Sequence, residues 1–518
     1  MRRSCDWGLQ RTWLREFAQL VLFDPIKNKP RLLDYTTTQQ RTTLVYDTGG
    51  FLSQRKGEHG QALTYHYNAN GDVDQIKDAL NNTTTYSYDR QRRVTSSTDA
   101  AGTTQLTYNA LGLTMQVRDA RNNATSYSYD GLGNLLAQTS PDTGSTSFSY
   151  NAVGQRTQQQ RADGSTLAYT YDALGRLKTQ SGGGQTRTLT YDSCGNGKGQ
   201  LCSAAKTGGT ATTANFSYTA WGQLATRQDV LGAATDTTSY SYDGMGRLAG
   251  IGYPSGISAG YSYTQGRLDK ITATVNGATS TVASFDGYQV FGPPAYLSYG
   301  NGLWRSTNYD TDRRVAGIST SAANGPIQSL TYGFDTADHI TAITNGVDAG
   351  QTQQYQYDGA SRLTQAALAG GNVASFGYDA VSNRITQSTT APASSTAYAI
   401  ATGSNRMTQS SMAGVTRSVT TNGVGDVTAF ITTAGTNTLA YDPFGKLASH
   451  TKSGVTTNYT VNALDQRMAK ANASSSSRYV YAGFNQLLAE QTNGQWSSYI
   501  YNGSEPVALV RNNQIYYL

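Results

Sequence analysis

Charge is the first thing this sequence lacks. Only 14% of its 518 residues are Asp, Glu, Lys or Arg, about half the ~25% of an ordinary soluble domain. The polar surface must instead be Thr, Ser, Gln, Asn and Gly. A net charge of +6 is small for this length, and no basic run interleaves with aromatics as a chain tracking a phosphate backbone would require. Nucleic acid is therefore not an expected partner. No apolar run reaches the ~18 residues of a membrane-crossing helix, so no membrane span of that kind is expected. Helix-forming stretches of Glu, Lys, Leu and Ala are also scarce, while strand-favouring Tyr, Thr and Val abound beside 55 Gly suited to turns. The expected fold class is all-β.

Groups that carry chemistry are just as sparse. The histidines, His59, His66, His339 and His450, are dispersed and none sits at metal-ligand spacing from a Cys or carboxylate, so each is read as a strand residue. Asn68-Ala69-Asn70-Gly71-Asp72-Val73-Asp74 has the oxygen-rich look of a calcium loop but lacks the bidentate Glu, and is read as a turn. Gly195-x-Gly197-x-Gly199 lacks the strand-then-helix setting of a phosphate loop and reads as a hairpin tip. Nothing pairs a nucleophile with a base. No catalytic residue, cofactor or metal is assigned. Of three cysteines, Cys194 and Cys202 bracket that Gly-rich loop and form a candidate disulfide, with two free thiols as the alternative; Cys5 has no evident partner.

What the chain does have is a repeat. Tyr129-Asp130-Gly131-Leu132-Gly133-Asn134-Leu135 returns as Tyr171-Asp172-Ala173-Leu174-Gly175-Arg176-Leu177 and as Tyr242-Asp243-Gly244-Met245-Gly246-Arg247-Leu248. Lead tyrosines fall at 46, 67, 88, 108, 129, 150, 171 and 191, always 20 or 21 residues apart. Each unit reads mechanically. Tyr127 and Tyr129 share one strand face at period two; Asp130 through Gly133 is a turn whose Asp can bond the backbone two residues on and whose Gly accepts positive φ; Leu135 starts the return strand. Ser140-Pro141-Asp142-Thr143-Gly144 is a second turn.

Tight turns at both ends of every strand demand antiparallel pairing rather than the one-way coils of a parallel β-helix. An up-and-down ribbon this long must curl into a spiral or closed shell. Later lead positions are Tyr218, Tyr242, Tyr263, Phe285, Tyr309, Phe334, Tyr357, Tyr378, Ala401, Thr421, Tyr441, Val461, Tyr481 and Tyr501, for 22 units in all, with longer steps near 191–242 and 285–334 read as insertions. Residues 1–31 do not fit the repeat; the apolar spacing from Trp13 suggests a short amphipathic helix ending before Pro25 rather than a signal peptide. The array is read as continuous over 32–518. The 36 tyrosines allow two readings: packing between hairpins with the hydroxyl on a backbone partner or water, or a face that stacks on sugars.

The recurrence of Tyr-Asp-x-x-Gly-Arg-Leu resembles the YD-repeat pattern of the Rhs (rearrangement hotspot) family. Tyr299-Gly300-Asn301-Gly302 followed by Tyr309-Asp310 and Arg314 is similar to that family's mid-array signature. Tyr499-Ile500-Tyr501 through Pro506-Val507-Ala508 is similar to a segment near the end of its core. The resemblance implies a hollow shell of spiralling β-ribbon, secreted or at the cell surface, that sequesters a C-terminal toxin as cargo in interbacterial competition, often through a type VI secretion spike or adaptor. Family members continue past the point matching Tyr516-Tyr517-Leu518 into an Asp-His-Leu-Gly segment, a core-closing motif and the toxin, so the resemblance implies a shell truncated at its C-terminal end. The reading from a different class is a surface adhesin whose partners are glycans on the ribbon's outer face. Neither reading makes the chain an enzyme.

Overall fold

The computed structural model describes residues 21–24, 29–32, 42–289, 292–483 and 486–518. Val21–Asp24 pairs antiparallel with Lys29–Leu32 as a separate two-stranded piece. Val21–Asp24 is thus a strand where the sequence suggested the end of a helix; the rest of that segment, and Cys5, lie outside the described residues. From Thr43–Tyr46 to Gln514–Tyr517 run 45 antiparallel strands in one open sheet, each bonded to the strand before and the strand after it. Among the described residues the helical content is a single 3-10 turn, Ala349–Gln351.

Local chemistry explains the regularity. In the unit led by Tyr129, the strand Ala124–Tyr129 alternates faces and ends in a two-bond turn: Gly133 N–H donates to the Asp130 carbonyl and Asp130 N–H to the Asn134 carbonyl, at 3.1 and 3.0 Å. The register slips by one residue at Ser128/Tyr129, the extra residue of a β-bulge with its glycine in the left-handed region. Gly133, Gly175 and Gly246 have φ of +87°, +81° and +76°.

The 22 lead strands end at or beside the expected positions, with two corrections. Ala278–Tyr288 is an 11-residue strand that ends at Tyr288, not Phe285, because Phe285 is buried in a core instead of standing at a tip. Ala393–Ile400 ends at Ile400; Ala401 occupies the turn position that Asp holds elsewhere, its carbonyl accepting from Ser404 N–H. Most of the residues read as insertions lengthen strands, as in Leu224–Leu231, Ala234–Tyr242 and Gly325–Phe334, rather than extending loops.

The sheet is mostly one layer thick. Over residues 43–186 only Asn123, Ser140 and Leu167 are buried. The chain exposes 29192 Å², whereas a compact 55.4 kDa globule would expose about 18,000 Å². A core forms where the last strands of the chain lie on the strands of residues 248–288: Ile251, Ile257, Ile271, Val282 and Phe285 meet Val480, Leu488, Ile500 and Val510. The ribbon is thereby wound over itself. Contacts between hairpin ends join residues 251 to 286 positions apart from Gln61–Asp312 to Arg187–Asp465, and beyond them come shorter intervals, 236 for Lys206–Asp442 and 246, 240 and 219 for Tyr253–Tyr499, Tyr261–Tyr501 and Tyr299–Leu518. One turn of the spiral therefore takes up about half of the chain, and the second turn narrows.

Candidate functional site

Many units are held by the same small circuit. In Tyr242-Asp243-Gly244-Met245-Gly246-Arg247-Leu248, one carboxylate oxygen of Asp243 accepts the N–H groups of Met245 and Arg247, both at 2.9 Å, and the other accepts Arg247 Nε at 2.8 Å. The Arg247 guanidinium lies 4.4 Å from the ring centroid of Tyr263 in the next unit, and the Tyr263 hydroxyl donates back to the Leu248 carbonyl at 3.0 Å. Asp243, Arg247 and Tyr263 each thus have a partner, and the motif ties one hairpin to its successor. Arg93, Arg176, Arg314 and Arg362 repeat the stack on Tyr108, Tyr191, Phe334 and Tyr378. Asn134 takes the place of Arg by donating to Asp130 at 2.8 Å.

These bonds set the titration of the tips. Asn134 and the turn N–H groups hold the Asp130 carboxyl below the usual range, and Arg247 does the same for Asp243. For Asp172, desolvation pushes the carboxyl up, but donation from the Arg176 backbone and side chain outweighs it and the net shift is downward. The tyrosine hydroxyls of residues 67, 129, 150, 171, 218, 263, 378, 441 and 501 all donate to a backbone carbonyl of the preceding unit. They act as inter-hairpin packing, the first of the two readings left open above.

The assembly's distinctive site is the seam between turns. Inter-hairpin turns of the first spiral turn meet Tyr-Asp turns of the second along the rim. His59 Nδ1 lies 2.5 Å from Asp312, and Gln61 bonds both Asp312 and Asp338. Arg121 donates to the Ser404 and Ala401 carbonyls at 2.6 and 3.0 Å. Asn405 N–H donates to Asp142 at 2.6 Å, Arg161 donates to the Pro443 carbonyl, and Lys206 Nζ sits 2.8 Å from Asp442. Phe444 lies beneath two cations, with the Arg187 guanidinium 3.9 Å and Lys206 Nζ 5.6 Å from its centroid. Backbones also approach closely: a Cβ on Gly144 would stand 3.0 Å from the Gly423 carbonyl, and one on Gly183 would strike Pro443 at 2.4 Å.

Further along, the seam dives into the core. Arg227, fully buried, donates twice to Asp229 at 2.8 Å, then to Gln466 at 2.6 Å and the Gly483 carbonyl at 2.9 Å. Desolvation pushes the Asp229 carboxyl up even with Arg227 against it, and Asp236 follows despite Arg478 at 3.2 Å. Burial also pushes the Tyr240 hydroxyl up to about 12. The pair is thus costly to bury and is fixed by its geometry, bridging the first turn to the second.

The remaining sequence candidates fall as follows. Cys194 and Cys202 are joined by a disulfide, with Cα atoms 5.5 Å apart, across the Gly-rich tip. The Asn68 loop is a turn in which the Asn68 side chain accepts from Asn70 and Asp72 N–H. His59 and His339 are at turns rather than on strands, and the His59 ring nitrogen and the carboxylates of Asp310 and Asp312 lie within 4.8 Å of one another. His66 and His339 face Asp74 and Asp335, contacts that linear spacing did not suggest. The seam residues were missed altogether. One trace of them existed in the sequence: cations such as Arg121, Arg161 and Lys206 stand at or beside inter-hairpin turns of a chain otherwise poor in charge.

A family model described as Teneurin YD-shell matches residues 33–195. No curated protein matches the chain. Among solved structures, the crystal structure of TcdB2-TccC3 superposes with a TM-score of 0.73 at 17% identity, covering 92% of this chain and 31% of that one. TcdB2-TccC3 without its hypervariable C-terminal region gives 0.72 at 16%, with the same coverage. The Photorhabdus luminescens Tc holotoxin pore carrying a TccC3 mutation gives 0.68 at 16%, covering 91% and 27%. The chain thus spans about a third of the length of these structures, and the likeness at such identity is one of fold.

Proposed function

We propose that this chain, a YD-repeat shell region, is a non-catalytic encapsulation scaffold of an Rhs-type polymorphic toxin, secreted to act in interbacterial competition. The observation that carries the proposal is a single-layer sheet wound into two turns and sealed along a seam: it spends its residues on enclosing space rather than on a core. Over its first 140 residues or so the sheet is wet on both faces, so its winding bounds a space rather than filling one with a core. The shared architecture with toxin-complex shells supports the same reading. The cargo would be a toxin held inside, unfolded or sequestered, and a secretion spike or adaptor would carry the shell. The lead tyrosines spend their hydroxyls on the ribbon's own backbone, so the adhesive reading has no observation behind it.

The test is protection. A protease-sensitive reporter fused after Leu518 should be cleaved far more slowly in the full-chain fusion than alone, and electron microscopy of the fusion should place density within the shell. Equal cleavage rates with the shell itself intact would refute encapsulation.

A further inference from the structure

The same tip position has two different fates in the two turns. Third after the lead residue comes an apolar side chain: Val381, Val424, Phe444 and Leu464 in the second turn, all half-buried. They are covered because inter-hairpin turns of the first spiral turn rest against their loops, through Arg121 on Asp379, Asp142 and Ala162 on Gly423–Gly425, and Arg187 on Phe444 and Asp465. In the first turn the equivalent residues are Leu111, Leu132, Val153, Leu174, Trp221 and Met245, and these are 63–90% exposed. They occupy six of seven successive tips. The seventh is the loop closed by Cys194–Cys202. With tips two strands apart, at roughly 4.8 Å per strand, the row runs for roughly 60 Å along one rim.

We propose that this rim is a docking edge for a second copy of the chain, which covers it with the free inter-hairpin edge of its own second turn. The occupant follows from continuity with the interface already built inside the molecule, where what covers such a tip is an inter-hairpin edge. A second copy has one to offer. Its tips at Asn324, Ala413, Ala434, Ser453, Ala473 and Asn493 are exposed, small and uncharged. They can therefore lie against apolar side chains without burying an unpaired charge. The contact is heterologous, rim to opposite rim, so it adds copies in one direction rather than closing a two-fold dimer. Nothing in this inference depends on what the shell encloses.

The test uses the full chain and sedimentation velocity over a wide concentration range. Species of two or more chain masses should grow with concentration. The triple variant Leu132→Glu, Leu174→Glu, Met245→Glu should be monomeric with an unchanged melting temperature, since all three side chains lie in solvent in the free chain. The variant Ala434→Glu, Ala473→Glu on the opposite edge should be monomeric too. Mixing the two variants should restore a species of two chain masses and no larger, because one intact rim meets one intact edge. A wild-type chain that stays monomeric throughout, a triple variant that assembles like wild type, or a mixture that stays monomeric would each overturn the proposal.

Discussion

Gly175→Val probes the turn on which the repeat depends. Gly175 has φ +81°. A Cβ there would come 3.0 Å from Gln155 Nε2, the far end of a surface amide that can swing aside, so space is not the obstacle. The backbone is: an L-residue in the left-handed region costs about 1–2 kcal/mol, and a β-branched one lies at the upper end of that range. Valine also restricts the unfolded chain, which returns about 0.4–1 kcal/mol. The net loss is about 1 kcal/mol. Because each unit touches only its neighbours, the loss should appear first as local opening. Amide exchange in the hairpin Thr166–Tyr171 and Leu177–Gly182 should quicken about fivefold. Gly133→Val, where a Cβ would lie 3.5 Å from Leu113, should behave alike. Asn should be milder than Val, as Asn81 and Asn122 already adopt φ of +69° and +65°. The reverse change is available at Ser361, φ +61°, where Ser361→Gly should slow exchange. If Gly175→Val and Gly133→Val left exchange and melting temperature unchanged, the account of the turn would be wrong.

Two further outcomes can be checked. Asp229→Ala leaves Arg227 buried without its carboxylate and should destabilise by about 3–5 kcal/mol; chemical denaturation would show it, and a loss below 1 kcal/mol would mean that Gln466 and Gly483 satisfy Arg227 alone. Acid should unfold the array in a defined direction. Asp130, Asp243 and their equivalents have folded pKa values below the unfolded ones, so their contribution is present above the ordinary carboxylate range near pH 4 and lost as pH falls through the folded values. Asp229 and Asp236 are raised and act the opposite way, their contribution being lost as pH rises. The tip carboxylates outnumber them, so melting temperature should fall below about pH 4; a rise there would show that the buried pair dominates.

The tip was legible in sequence because its circuit is local. Asp243 reaches Arg247 four residues on, and Tyr263 reaches Leu248 fifteen back, so one period of sequence contains the whole interaction. Phase failed where that circuit was absent. At Ala401 no polar side chain marks the turn, and near Phe285 the strand carries bulges at Ile271/Thr272 and Ser284/Gly287, so the aromatic that looks like a lead residue points into the core. The seam was illegible for a different reason. Asp142 and Asn405 are 263 residues apart, and their meeting depends on the accumulated twist and curl of some two dozen strands, which no single unit encodes.

That same geometry accounts for the missing charge. In a ribbon of two-stranded repeats each residue's own counterparts recur on every second strand, so a charged residue fixed in the strand phase would set a row of like charges roughly 10 Å apart along the sheet. Hydroxyl residues avoid this and bond across the strands instead. Thr98–Thr103, Thr139–Ser145, Thr170–Thr179, Ser217–Thr226, Thr274–Thr279 and Thr451–Thr456 face each other at 2.6–3.0 Å. Charge is instead concentrated at the ends of hairpins, where Asp and Arg cancel within one turn or meet across the seam, as in Asp243–Arg247 and Lys206–Asp442. A chain built as a two-sided wall therefore needs few charges on its faces, and those it keeps hold one hairpin to the next and the first turn to the second.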